Sequence, residues 1–248
     1  MTRRRDYRLY RQRASGLRRI ARALLVLLGF VLFYITVSGL LLTSVAVGSV
    51  SMSPTFTIGD RLLVSPLAYG ATIPFTDRKI RALSLPGRGD LVLLRPPYYS
   101  TTPIRRLLSP FVEFFTLQRV SLAISSGIET EDRALIRRVI GIPGDTVRVE
   151  TYEAFVLAPG EESYVSEFDL SDAAYAIRRD PLPDGWDASL PFAADIDPLV
   201  LGENQYFVMS DYRNMTNDSR YWGAIGPGSF IGKPILRYWP FASFGVSR

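Results

Sequence analysis

The chain has 248 residues, 47% of them hydrophobic, with no cysteine and no histidine. That is room for one membrane anchor and one domain of ordinary size, and it excludes disulfide staples, thiol nucleophiles, Cys/His metal sites and any serine triad built on imidazole. The net charge of +5 is a local property: nine Arg and one Asp stand in residues 1–22, which leaves −3 on the other 226.

In chain order, residues 1–22 form a basic tail. Arg3, Arg4, Arg5, Arg8, Arg11, Arg13, Arg18, Arg19 and Arg22 lie within about 20 residues of an apolar run, where positive charge holds a terminus in the cytoplasm. Tyr7 and Tyr10 would also suit a nucleic-acid arm. The adjoining span accounts for the tail through retention and attraction to anionic headgroups, so lipid is an expected partner and nucleic acid is not.

Residues 23–47 carry no charge, and none follows until Asp60. A run of 25 residues can cross about 30 Å of hydrocarbon as a helix. A cleaved secretory signal, cut near Ser44-Val45-Ala46, would need an apolar core of only about 7–15 residues. The expectation is a single transmembrane helix in the cytoplasmic (inner) membrane, N-terminus inside, with residues 48–248 as an extracytoplasmic domain.

From Val50 onward, short runs at Arg61–Val64, Asp90–Leu94, Thr146–Glu150 and Gln205–Met209 are punctuated by Gly, Pro and Asp, the pattern of an antiparallel β domain. Residues 98–131 hold Phe111, Val112, Phe114, Phe115 and Leu117 among scattered charges. They suit a partly amphipathic helix, lying either on the membrane or on the domain core. Residues 159–198, acidic and proline-bearing, read as an inserted loop-rich lobe. No repeat or low-complexity tract is present.

Four short boxes follow in order: Ser51-Met52-Ser53-Pro54-Thr55 with Gly59-Asp60; Arg88-Gly89-Asp90 before Leu91–Leu94; Arg137-Arg138-Val139-Ile140-Gly141-Ile142-Pro143-Gly144-Asp145; and Ser210 to Gly223. Any one of them alone would more often be an ordinary turn or surface serine, but together they resemble the bacterial type I signal peptidase (leader peptidase) family. The resemblance implies a mainly β, antiparallel signal-peptidase-like domain with one N-terminal transmembrane helix. It also implies a serine endopeptidase that removes signal peptides from exported preproteins beside the export machinery, with no cofactor and no metal.

On the same resemblance Ser51 is the nucleophile and Ser49 an oxyanion donor, of a kind worth several kcal/mol when aimed at developing charge. Thr216, Asp218 and Arg220 support the site, and Asp211 and Arg213 belong to an ion-pair network beneath it. The family's general base is a lysine, for which burial can favour the neutral amine. Arg137 stands at that position, and a guanidinium does not deprotonate. A missing base costs roughly 10²- to 10⁴-fold. Lys79 and Lys233 are the only lysines, and neither sits in a box position expected to reach Ser51. The alternative is therefore a catalytically silent homologue that binds substrates or assists assembly. A weaker third is a self-cleaving or pilin-type processing protease. Ser210 and Tyr212 replace the family's Gly and Asn in the fourth box.

Overall fold

The computed structural model describes residues 3–73, 78–98, 104, 108, 111, 112, 115, 134–172, 174–181, 195–215 and 217–247, with side chains from residue 18 onward. Helix α1 spans Arg3–Leu40. Its stretch Arg18–Leu40 is long and apolar enough to cross a membrane. Most of its apolar side chains face outward, while Val31 and Ile35, one turn apart, are buried.

The helix expected to reach Val47 stops at Leu40, and Thr43–Ala46 is strand β1. No proline or charge ends the helix. Thr43, Val45 and Val47 place β-branched residues at alternate positions, which suits a strand, and β2 (Arg61–Ser65) supplies the partner, with Thr43 opposite Val64 and Ala46 opposite Arg61.

The remaining strands are β3 (Leu91–Leu94), β4 (Leu135–Gly141), β5 (Thr146–Glu150), β6 (Glu153–Leu157), β7 (Val165–Ser166), β8 (Ile196–Val200), β9 (Phe207–Met209), β10 (Phe230–Trp239) and β11 (Gly245–Val246). A seven-stranded sheet runs β1-β2-β10-β3-β4-β9, with β11 on β10, and a four-stranded sheet runs β7-β6-β5-β8. All pairs are antiparallel. The mainly β, antiparallel architecture is the one that short, turn-bounded apolar runs predict.

Every residue of β3 and β4 is buried. One apolar cluster, with Val92, Val139, Val208 and Phe230, lies within the large sheet, and another, with Ile140, Val147, Val156 and Phe207, joins the two sheets. The third box is the connection between them, leading from β4 through a turn into β5. Gly144 sits there at φ 91°, where a side chain is strained. A Cβ on Gly141 would lie 2.4 Å from Val147 Cγ2.

Of the segment 98–131, Tyr98, Ile104, Leu108, Phe111, Val112 and Phe115 are described, the last five as helical. The rest of the helix expected there lies outside the described residues. Within 159–198, β7 and the start of β8 belong to the small sheet, while 173 and 182–194 lie outside the described residues.

Candidate active site

Ser51 sits on a loop that leaves the end of β1 and returns at β2. Its neck is closed by two backbone bonds, Val47 N–H to Asp60 O (2.8 Å) and Gly59 N–H to Val47 O (2.9 Å). The Asp60 carboxylate takes the Thr57 N–H and hydroxyl and pairs with Arg237 at 3.1 Å. Met52 and Phe56 are buried with Leu62, Val64, Leu93 and Ile136. Those two apolar anchors press the loop onto the sheet and leave the serine between them and β4.

Arg137 reaches Ser51 from β4, its Nη1 donating to Ser51 Oγ at 2.9 Å. Both residues are nearly enclosed, Ser51 at 6% and Arg137 at 2% exposure. The same Nη1 donates to Ile136 O at 2.6 Å, and Nε and Nη2 both donate to Asn217 O, at 2.9 and 2.7 Å. The guanidinium is thus anchored through its N–H groups by two backbone carbonyls, with Nη1 shared between Ile136 O and the serine. The Ser51 backbone N–H donates to Ser49 Oγ at 3.1 Å, so the hydroxyl expected to serve the oxyanion lies beside the nucleophile's own N–H. An incoming carbonyl oxygen would have to replace that contact.

The fourth box supports this arrangement from behind. Asp218 caps the short helix α2 (Ser219–Trp222) by accepting from Arg220 N–H. It also takes Arg220 Nε and Nη2, at 3.0 and 2.7 Å, and Ser210 N–H at 2.9 Å. Burial alone would raise its carboxyl, but the charge and hydrogen bonds of Arg220, the Ser210 N–H and the charge of Arg137 outweigh it and hold the group below its ordinary value. Asp218 thereby fixes the backbone of its neighbour Asn217, whose carbonyl holds Arg137. Tyr212 N–H donates to Ser51 O at 2.9 Å. Thr216 lies outside the described residues.

The ion-pair network expected beneath the site draws in residues outside the fourth box. Asp218 pairs with Arg220, but Asp211 pairs with Arg138 of β4, at 2.9 and 2.7 Å, and Arg213 pairs with Glu167 at 2.6 Å. These four residues are buried, so each charge needs its partner. The reason lies in β4 itself: neighbouring side chains point to opposite faces, so Arg137 turns to Ser51 and Arg138 to Asp211. The second and third boxes are joined by Arg88, whose Nε and Nη2 meet Asp145 at 2.9 and 2.6 Å.

A cavity of about 90 Å³ opens beside Ser51, walled by Val45 to Ser49 on one side and Ala134 to Arg137 on the other. β1 is an end strand of the large sheet, and β4 pairs with β9 only from Arg138 onward. The cavity therefore lies between two strand edges. Both lysines are engaged elsewhere: Lys79 Nζ donates to Gly228 O and Phe230 O at 2.9 and 2.6 Å, and Lys233 pairs with Asp90 at 2.6 Å. Among the described residues no group of three or more acids comes together as a metal site.

The sequence did not single out Asn217, Tyr212 N–H or Ala134 to Ile136 for these contacts. All but the apolar cavity wall act through backbone atoms, which leave no side-chain signature.

Comparison with known proteins follows the same lines. A family model described as "Signal peptidase, peptidase S26" matches residues 17–239. The chain is 29% identical to Signal peptidase I of Pseudomonas aeruginosa over 220 residues, covering 77% of this chain and 63% of the relative. It is 26% identical to Signal peptidase I of Haemophilus influenzae over 213 residues, covering 74% and 59%. It is 25% identical to Thylakoidal processing peptidase 1 of Arabidopsis thaliana over 196 residues, covering 79% and 41%. The chain thus spans less than two thirds of the length of these three relatives. With its match running through all four boxes and the strands that carry them, the chain belongs to the signal peptidase family, peptidase S26.

Proposed function

We propose that the protein is a membrane-anchored serine endopeptidase acting on the signal peptides of exported preproteins, with Ser51 as nucleophile. The observation that carries this reading is Ser51 Oγ at the end of a small cavity between two strand edges, beside Ser49 and a fixed cation. A peptide laid between such edges gains backbone hydrogen bonds, while alternate side chains enter pockets. A space of about 90 Å³, about three times a water molecule's share of the liquid, favours small side chains next to the scissile bond.

In this reading Arg137 is an electrostatic group. It stabilises the serine alkoxide and the developing oxyanion; because the guanidinium neither takes nor gives up a proton, the proton of Ser51 goes to solvent hydroxide and the departing nitrogen takes its proton from the water so formed. The basic tail stays in the cytoplasm, Arg18–Leu40 crosses the bilayer, and the β domain meets preproteins on the far side beside the export machinery.

A second reading, a silent relative that binds signal peptides without cutting, is favoured by the donation from Arg137 Nη1 to Ser51 Oγ and by the engagement of both lysines elsewhere. Cleavage of a preprotein by the purified chain in detergent separates the two. The endopeptidase gives cleavage that Ser51→Ala abolishes and that rises about tenfold per pH unit above neutrality, as hydroxide does. In Arg137→Lys the rate rises by roughly 10²-fold or more at pH 8. No cleavage by the parent, with gain in Arg137→Lys, sinks the first reading and establishes the second.

A further inference from the structure

The chain leaves β2 into a 3₁₀ turn, Pro66–Tyr69, that packs against both β10 and α1. The β1–β2 pairing explains the second contact. Helix α1 ends at Leu40 and Thr43 lies opposite Val64, so the turn begins beside the helix end. Residues 78–85 fold back onto this turn. Ile80 N–H donates to Ala71 O at 2.8 Å, Leu83 N–H to Leu67 O at 3.4 Å and Ser84 N–H to Ala68 O at 3.0 Å. Lys79 Nζ ties the start of the run to Gly228 O and Phe230 O, at the entry of β10. The approach is close enough that a Cβ on Gly70 would lie 2.9 Å from Ile80 O.

The backbone of the run is held down, yet its apolar side chains face outward. Ile80, Leu83 and Leu85 are 37%, 74% and 73% exposed. One exposed leucine is ordinary, but a cluster of them on a fixed backbone marks a contact surface. The same run carries Arg78, Lys79 and Arg81 and no acid. Burial and the nearby charge of Arg95 push the Lys79 ammonium below its ordinary pKa, so cations stand side by side here. Apolar side chains interleaved with Arg and Lys suit the boundary between acyl chains and headgroups. The adjoining end of α1 fixes where that boundary is.

We propose that residues 78–85 are a second membrane contact of this chain. Ile80, Leu83 and Leu85 enter the interface of the leaflet through which α1 emerges, and Arg81 meets the headgroup phosphates. A single helix lets the β domain swivel about its axis, whereas a second contact beside it fixes the tilt of the Ser51 cavity against the bilayer. The proposal rests on α1 crossing the membrane, as read above, and is independent of cleavage.

The chain has no cysteine, so a nitrobenzoxadiazole label on Leu83→Cys reports from one place. Glu161→Cys, exposed in the turn after β6, carries the same label in a second full-length protein. Both are reconstituted into vesicles of phosphatidylcholine and phosphatidylglycerol, with and without a lipid spin-labelled just below its headgroup. The label at position 83 is expected to lose about half of its emission or more to the spin label, and the label at position 161 less than about a tenth, because an interfacial segment sits about 5–10 Å into the headgroup boundary. Adding Arg81→Gln should lower the quenching at position 83, and unchanged quenching overturns the phosphate contact. Equal quenching at the two positions, in protein that alkaline carbonate leaves in the vesicles, overturns the proposal while leaving the anchor reading intact. Release of the chain by carbonate overturns the anchor reading and this proposal with it. Both labelled positions are exposed, so neither cysteine disturbs the core.

Discussion

At the scale of single residues, the guanidinium that donates to Ser51 sets what the site can offer. Arg137 keeps the charge and the reach of an amine but loses the ability to be neutral. Its geometry is set by groups two steps away: Arg220 holds Asp218, Asp218 holds the chain at Asn217, and the Asn217 carbonyl holds Nε and Nη2 of Arg137. Replacing Asp218 by Asn leaves Arg220 buried against a neutral amide, and removing one partner of a buried pair costs about 3–5 kcal/mol. That is a large part of a typical total stability of about 5–15 kcal/mol. Urea unfolding of Asp218→Asn should show a loss of that size, together with weaker peptide binding because Arg137 loses its seat. The pH dependence follows from the sign of the shift. The folded-state pKa of Asp218 lies below its ordinary 3.8, so its contribution is fully present above that value and is lost as pH falls through the folded pKa. The parent should lose stability with acid below about pH 3.8 more steeply than Asp218→Asn, and parallel acid curves would show that the carboxylate is not held this way.

At the scale of elements, β4 shows what could be read in advance and what could not. The order of the boxes, the Gly-x-Pro-Gly-Asp turn after Gly141 and the strand character of Leu91–Leu94 and Thr146–Glu150 are local patterns, and the structure keeps them. Two adjacent arginines inside a wholly buried strand run against alternation, which would send one of them to solvent. They are tolerated because Ser51, Asn217 and Asp211 wait on the two faces, partners 73 to 86 residues away that no window on the sequence joins. The end of α1 was hidden for the same reason, since β1 exists only because β2 pairs with it. The β5–β6 hairpin holds a local conflict of its own. Thr151 and Tyr152 both have positive φ, 50° and 70°, at a two-residue turn that normally favours Asn-Gly. Thr151 is exposed, and only its backbone N–H is used, donated to Asp195 at 2.6 Å. Thr151→Asn therefore relieves strain without losing a contact. It should stabilise the domain by about 0.5–1 kcal/mol, or roughly 2 °C in Tm. A thermal melt that is unchanged or lower would show that the turn carries no strain.

At the scale of the molecule, the proposed function makes the cavity and the apolar helix parts of one device, because β1, one wall of the cavity, follows α1 after two residues. The 23 residues of Arg18–Leu40 reach about 35 Å as a helix, enough for a bilayer core of about 30 Å. Ser51 can lie no more than about 40 Å from the helix end even if the chain between were straight, and the β1–β2 pairing draws it closer. A signal peptide inserted beside α1 would leave the bilayer at the same level and could enter the groove at once. This works only if the β domain stands on the side away from the basic tail. Protease added to sealed vesicles gives the answer. Digestion of the β domain should occur when the extracytoplasmic face is outward, with the tail protected, and the domain should survive intact when the cytoplasmic face is outward. Digestion of the β domain from the cytoplasmic face would place the groove where no exported chain arrives, and would remove the membrane geometry on which delivery depends.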